Sequence, residues 1–310
     1  MSAIVEVVLP VFAIMLAGYL GGRFGLLGAA SSEALNRFVY FAALPALFFI
    51  SMARVELVQA FNLPFLMAYG GGVVITAVIA VLFARFVFPQ GLGNLTLHGL
   101  SATFANVGYM GIPLLLTAYG ESAMLPAIVA TVFSGTVMMG IGVALLELSQ
   151  GAGEGPLAMV RKVLLGIARS PLVVAALIGI AISIAGLEVP TPIATFCDIL
   201  GAAAAPCALF AIGLFMVGKS FTAGAGEVSW LVLLKLFVQP LVTWWLATEV
   251  FEMAAIWATS AVILAALPTA ALVFVLAQQY GVYVQRSTAA IMVSTVLSVL
   301  TLSALFPLLS

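Results

Sequence analysis

The chain has 310 residues, of which 65% are hydrophobic and 7% charged, with a formal net charge of −1. Soluble domains carry about 25% charged residues, so this composition excludes a globule wrapped in water and points to an outer surface of lipid. The balanced charge and the lack of a basic tract also exclude nucleic acid as a partner, because that binding rests on clustered cations against phosphates.

A helix that crosses a bilayer needs about 20 mostly apolar residues. In chain order such runs are predicted over Ser2–Gly21, Leu35–Met52, Pro64–Phe88, Leu97–Ala118, Met124–Leu146, Pro171–Leu187, Pro192–Val217, Trp230–Val250, Ala254–Gln278 and Ser287–Leu309. The fold class expected is therefore all-α integral membrane, with ten transmembrane helices. The first run has neither a basic leader nor a cleavage site and reads as a span. The longest connection, Ser149–Ser170, carries Gly151, Gly153, Gly155 and Pro156 and falls between spans five and six. Cys197 and Cys207 lie ten residues apart on one predicted span, too distant to bridge. They are expected to be free packing thiols.

Cations set orientation. Arg23, Arg37, Arg85, Arg161, Lys162, Arg169, Lys219 and Arg286 follow odd-numbered spans, and only Arg54 follows an even one. Lys235, in span eight, is expected to snorkel to the same side as the majority. The odd loops are thus predicted to be cytoplasmic, with both termini extracytoplasmic in the cell (inner) membrane.

The two halves share features at matching positions. Span two reads Ala42-Ala43-Leu44-Pro45-Ala46-Leu47-Phe48, and span seven reads Ala204-Ala205-Pro206-Cys207-Ala208-Leu209-Phe210. Span four carries Pro113 before Tyr119-Gly120, and span nine carries Pro268 before Tyr280-Gly281. Five spans per unit is an odd number, so the second unit enters the membrane from the opposite side, the arrangement of an inverted-topology repeat. This divides the chain into 1–149, a cytoplasmic linker 150–170, and 171–310.

Chemistry concentrates where these repeats are interrupted. Span four contains Asn106-Val107-Gly108-Tyr109-Met110-Gly111-Ile112-Pro113, and span nine contains Leu267-Pro268-Thr269. Proline lacks an N–H and clashes with the preceding turn, and the glycines add freedom, so both helices are expected to break. The half-helices then present free N–H groups and a partial positive charge at membrane depth, an anion site without a buried cation. Candidate substrate-binding residues are Asn106, Val107, Gly108, Tyr109, Gly111, Pro113, Leu267, Pro268 and Thr269, with Asn106 and Thr269 as side-chain donors to a carboxylate. The alternative is that the prolines only shape packing, as is expected of Pro10, Pro45, Pro206 and Pro240.

Ionisable groups within spans are functional candidates. Asp198 could carry a coupling ion, proton or sodium, or pair locally. His98, the single histidine, is expected to be solvated at the cytoplasmic start of span four. No enzyme reading survives: one histidine excludes H-E-x-x-H, no second aspartate is present for a dyad, and neither G-x-S-x-G nor a P-loop occurs. No catalytic residue, metal site or cofactor is expected. A passive channel or a non-transporting receptor stays open as a different class of function.

Several stretches resemble the auxin efflux carrier family, which includes plant PIN-type carriers and bacterial organic-acid permeases. They are Asn36-Arg37-Phe38-Val39 with Pro45; Asn106 through Met110-Gly111-Ile112-Pro113-Leu114-Leu115 with Tyr119-Gly120; Gly213-Leu214-Phe215-Met216; and Ala265-Ala266-Leu267-Pro268 followed by Phe274-Val275, Ala277 and Tyr280. The resemblance implies two inverted five-helix repeats, broken helices four and nine crossing at a substrate site, elevator-like transport and a homodimer. Ala105 stands before Asn106 where plant carriers have proline, and the long plant loop is replaced by Ser149–Ser170. The implied substrate is thus a small carboxylate such as malate or malonate rather than auxin.

Overall fold

A computed structural model of the chain describes residues 9–54, 62–150, 171–219 and 223–309. The start of the first predicted span, the Gly-rich connection and the cations Arg161, Lys162 and Arg169 lie outside these residues. Sixteen α-helices are described. They are α1 (Leu9–Arg23), α2 (Ala29–Phe38), α3 (Leu44–Ala53), α4 (Leu63–Val87), α5 (Leu92–Thr103), α6 (Ile112–Tyr119), α7 (Met124–Phe133) and α8 (Met139–Ser149). After the connection come α9 (Pro171–Ile184), α10 (Thr191–Ala202), α11 (Ala204–Met216), α12 (Ala225–Leu233), α13 (Gln239–Trp245), α14 (Ala255–Ala266), α15 (Leu272–Tyr280) and α16 (Val284–Leu309).

Among the described residues, six helical segments are long and apolar enough to cross a membrane: Ala30–Ala53, Leu63–Val87, Val107–Phe133, Thr191–Met216, Ala225–Val250 and Val284–Leu309. Leu9–Arg23, Met139–Ser149, Pro171–Ile184 and Ala255–Ala266 are apolar but shorter. Predicted spans four and nine are not continuous helices. Each is interrupted, at Phe104–Asn106 and at Leu267–Ala271. The exposed side chains are those of a lipid-facing protein. On α4, Val74, Ile75, Val78, Ile79, Leu82, Phe83 and Phe86 are all exposed and recur every three or four residues, one outward face of the helix. On α16 the polarity is reversed: Ser287, Thr288, Ser294, Thr295 and Ser298 are buried while Val296, Leu297 and Leu300 face out.

Three prolines explain a recurrent irregularity. Pro45, Pro113 and Pro240 each occupy the second position of a helix that follows a wide π turn, at Val39–Ala43, Val107–Gly111 and Leu234–Val238. The proline ring collides with the carbonyl four residues earlier, and widening the preceding turn moves that carbonyl aside without ending the helix. Pro113 therefore sits inside a continuing helical stretch; the break in span four comes seven residues earlier, at Asn106. The wide turns at Ser134–Met138 and Leu246–Val250 are not followed by such a proline.

The chain forms two compact units, each drawing helices from both halves of the sequence. The first holds α1–α3, α6, α7 and α9–α11. Here α1 packs along α11, and α9 and α10 pack along α3. Glycine makes these approaches possible: a Cβ on Gly18 or Gly213 would collide with the backbone of Phe210 or Met15, and one on Gly179 with the backbone of Phe49. Small residues at such seams let membrane helices reach van der Waals contact. Cys197 and Cys207 are free thiols on successive helices, since the chain is interrupted at Ala203.

The second unit holds α4, α5, α8 and α12–α16. Its helix α4 packs on α5 and α13, and α13 packs on α14. Gly72 admits Thr243 against the α4 backbone. Phe65 stacks on Tyr69 and meets Trp257 edge-on at 5.3 Å between ring centres.

Candidate functional site

Within the second unit, α5 and α14 both point their carboxyl ends at one place, and the chain leaves each in extended form. Phe104 has φ −78°, ψ 92° and Leu267 has φ −64°, ψ 153°. For Leu267 the cause is local, because the residue before proline is driven out of the helical region. The extended segments pair as a short antiparallel bridge between Ala105 and Thr269. Asn106 N–H donates to Pro268 O and Ala270 N–H to Phe104 O, both at 2.9 Å. This exchange satisfies backbone groups that would otherwise be orphaned in a medium without water.

The side chains around the bridge divide into committed and uncommitted ones. Thr269 is 1% exposed. Its hydroxyl donates to Ser101 O at 2.7 Å and its N–H to Ser294 Oγ at 3.1 Å. Its single hydroxyl proton is thus already used, and the expectation that Thr269 donates to a carboxylate conflicts with this geometry. Asn106 is 7% exposed, and its carboxamide has no hydrogen-bond partner among the described residues. Val107 donates its N–H to Ala105 O at 2.8 Å in a tight turn. Leu267 and Pro268 are buried.

Two residues that the sequence reading did not place here complete the site. Lys235 does not snorkel. It is wholly buried, and its Nζ donates to Ala265 O at 2.6 Å. One turn later Gln239, also wholly buried, donates its Nε2 to Thr103 O at 3.1 Å. These carbonyls belong to the last turns of α14 and α5, where helix ends carry unpaired acceptors and a partial negative charge. The wide turn at Leu234–Val238 leads Lys235 and Gln239 into the unit on one helix face. The signal for both was present in the sequence, as two polar residues four apart at membrane depth.

Gly108, Tyr109, Gly111 and Pro113 belong to the first unit. There Tyr109 donates its hydroxyl to Asn36 O at 3.3 Å. Gly108 lies against Thr131, and Gly111 and Pro113 are buried. Asp198 is also in this unit. Arg54 grips it in a fork, Nη1 to Oδ1 at 3.0 Å and Nη2 to Oδ2 at 2.9 Å, with the two side chains 56% and 46% exposed. An exposed ion pair of this kind contributes little, so Arg54→Ala is expected to lower stability by less than about 1 kcal/mol. Thermal unfolding at low and high ionic strength checks this, the difference shrinking with salt.

His98 departs most from its expected place. It is wholly buried because it meets Glu227 and Tyr283 in a polar cluster that Gln90 and Arg286 complete through Glu227. Among the described residues, no group of three or more His, Cys, Asp or Glu side chains could hold a metal ion.

A sequence profile described as "Membrane transport protein" matches residues 3–306. A relative from Rhizobium meliloti (strain 1021), named "Putative malonate transporter", is 31% identical over 309 residues, covering 100% of this chain and 97% of the relative. "Uncharacterized transporter YfdV" of Escherichia coli (strain K12) is 26% identical over 295 residues, 92% of this chain and 91% of that protein. The "Lysosomal cholesterol signaling protein" of Mus musculus is 28% identical over 225 residues, 68% of this chain but 26% of that much longer protein. With its apolar exterior, its interrupted helices paired at depth and a profile match along almost its whole length, this chain belongs to the membrane transport protein family.

Proposed function

We propose that the protein is a secondary transporter of small organic anions, mono- or dicarboxylates, and that it binds the carboxylate at the crossing of broken helices four and nine. The observation that carries this reading is the Asn106 carboxamide, nearly buried and unpartnered at the bridge. A donor held there at low dielectric is costly unless a ligand takes it up. The first turn of α15, following the second break, offers the positive end of a helix to the same ligand, and Lys235 supplies a positive charge in contact with a helix end at the crossing. The relative named for malonate supports a dicarboxylate as the first substrate to test.

The reading extends to ten spans in two inverted five-helix repeats. Its support is reciprocal pairing in the first unit: α1 of the first half packs on α11 of the second, and α9 of the second half packs on α3 of the first. An inverted repeat that relates span one to span six and span two to span seven requires both pairings. The proposal places the carrier in the inner membrane with both termini extracytoplasmic, as an elevator-type homodimer. The remaining sequence candidates, Gly108, Tyr109, Gly111 and Pro113, shape the helical stretch that leaves the first break.

Uptake of labelled malonate, malate, succinate and indole-3-acetate into proteoliposomes tests the reading. Saturable flux of a carboxylate that accelerates with unlabelled substrate inside establishes a carrier. Linear, unsaturable flux would make it a channel, and binding without flux a receptor. Asn106→Ala is expected to raise the half-saturation concentration about tenfold to a hundredfold, the worth of one hydrogen bond to a charged group, with the melting temperature unchanged. Wild-type kinetics in this variant would remove Asn106 from the site.

A further inference from the structure

The cluster around Glu227 lies in the second unit against α5, where His98 is the seventh of twelve residues, and the anion site leaves it unused. Glu227 is 4% exposed and His98 0%. Glu227 Oε1 faces His98 Nδ1 at 2.7 Å, the Tyr283 hydroxyl at 2.5 Å and Gln90 Nε2 at 2.7 Å. Its Oε2 faces Arg286 Nε at 3.2 Å. Arg286 also donates to Gln90 Oε1 at 3.3 Å and stacks over the Tyr283 ring. Tyr283 is held at φ 59°, a left-handed backbone that a tyrosine rarely adopts.

A carboxylate that receives four donors is ionised, and accepting from Nδ1 fixes the histidine tautomer with its proton on that nitrogen. The lone pair then lies on Nε2, which is buried with no hydrogen-bond partner among the described residues. The phenol of Tyr283 does not compete for a proton, because burial and the bond to Glu227 raise it far above its ordinary range. The elements packed on α5 are α4, α8, α12, the Leu234–Val238 turn, α15 and α16. Of their charged and titratable groups, Arg85 is exposed, Tyr69 meets Ser134, Glu147 accepts from Tyr280, and Lys235 is spent on Ala265. Among the charged and titratable groups of the described residues, Glu227 and Tyr283 alone bond the imidazole, and Arg286 reaches it through the far oxygen of Glu227.

We propose that His98 is the proton-binding site that couples this carrier to a proton gradient, Nε2 taking up one proton while Nδ1–H stays on Glu227. This inference rests on the anion-carrier reading. Glu227 and Arg286 cancel, so the cluster is neutral when His98 is neutral and carries one positive charge when it is protonated. With Lys235 supplying one positive charge at the crossing and protonated His98 a second, a bound dicarboxylate dianion at the bridge, in the same unit, restores neutrality. Buried charge is costly unless compensated, so proton and anion each favour the binding of the other, and they cross together. For one proton per dianion, each pH unit of gradient sustains up to about tenfold accumulation at zero membrane voltage.

The test compares wild type, His98→Asn and Asp198→Asn in proteoliposomes with labelled malonate. Asparagine keeps an amide donor toward Glu227 but cannot take a second proton. Counterflow at equal pH and uptake driven by an acid exterior are both read. In wild type and Asp198→Asn, the gradient is expected to drive accumulation. In His98→Asn, counterflow is expected to persist while gradient-driven accumulation disappears. Accumulation retained in His98→Asn, or lost in Asp198→Asn alone, overturns the proposal, as does wild-type counterflow with no response to the gradient. A wild type without counterflow of any carboxylate overturns the anion reading itself, and the coupling with it. Should His98→Asn fail to fold, nitrogen NMR of the single histidine in the wild-type protein decides the matter. Nε2 must titrate, with a midpoint that moves on adding malonate; an Nε2 signal that is silent to both pH and malonate overturns it.

Discussion

Lys235→Met is expected to slow transport about a hundredfold while leaving the protein as stable as the wild type or more so. The Lys235 ammonium is wholly buried, and its one hydrogen bond goes to the neutral Ala265 carbonyl. Among the described residues no carboxylate lies within 4 Å of it. Removing such a charge from water costs several kcal/mol, and one carbonyl at a helix end offsets part of that. Methionine has a similar shape and no charge. It leaves Ala265 O unpaired, at about 1–3 kcal/mol, but it removes the larger cost of burying an ammonium. Melting temperature is therefore expected to hold or rise.

Transport is expected to respond in the opposite direction. Lys235 acts on the carboxylate through its field at the carboxyl end of α14, where its bond to Ala265 O holds it in place. Losing it is expected to slow uptake about a hundredfold, equivalent to about 3 kcal/mol. Thermal unfolding and malonate uptake on one preparation separate the two effects. If Lys235→Met transports like the wild type, the anion site needs no positive charge at the crossing.

Gly213→Val is expected to have the opposite signature, with the fold itself failing. The α1–α11 seam is closed by Gly18 and Gly213, and any Cβ on Gly213 falls on the Met15 carbonyl and the Tyr19 amide of the facing helix. Backbone atoms cannot rotate away as a side chain does, so the helices must separate and their contacts are lost together. The cost is about 3 kcal/mol or more, a large part of the stability of a typical domain. Gly135→Ala is the matched control, with nothing among the described residues within 4 Å of the added carbon. In a helical turn it is expected to be neutral or to stabilise by up to about 1 kcal/mol. Yield of monodisperse protein and its melting temperature distinguish the two variants. An intact Gly213→Val protein would mean that the seam can open without loss.

Composition and hydrophobic run length by themselves determined that this chain is a helical membrane protein, because charge this sparse can be accommodated only in lipid. The sequence also located the interruptions of spans four and nine and singled out Asn106. It spread the first break over Asn106–Pro113, and the structure narrows it to Phe104–Asn106, because a proline can be absorbed by a wide turn, as at Pro45 and Pro240, and an interruption can form without one.

Only the tertiary structure decided where the buried charges go. Lys235 read as a snorkelling residue and His98 as a solvated one, since along the chain each sits near the end of an apolar run. Their burial depends on partners far away in sequence: Ala265 for Lys235, and Glu227 and Tyr283 for His98. The commitment of Thr269 to Ser101 and Ser294 is likewise a long-range choice. Apolar residues declare the solvent they need through local periodicity, whereas a polar group at membrane depth takes its role from whichever donor or acceptor the fold brings to it.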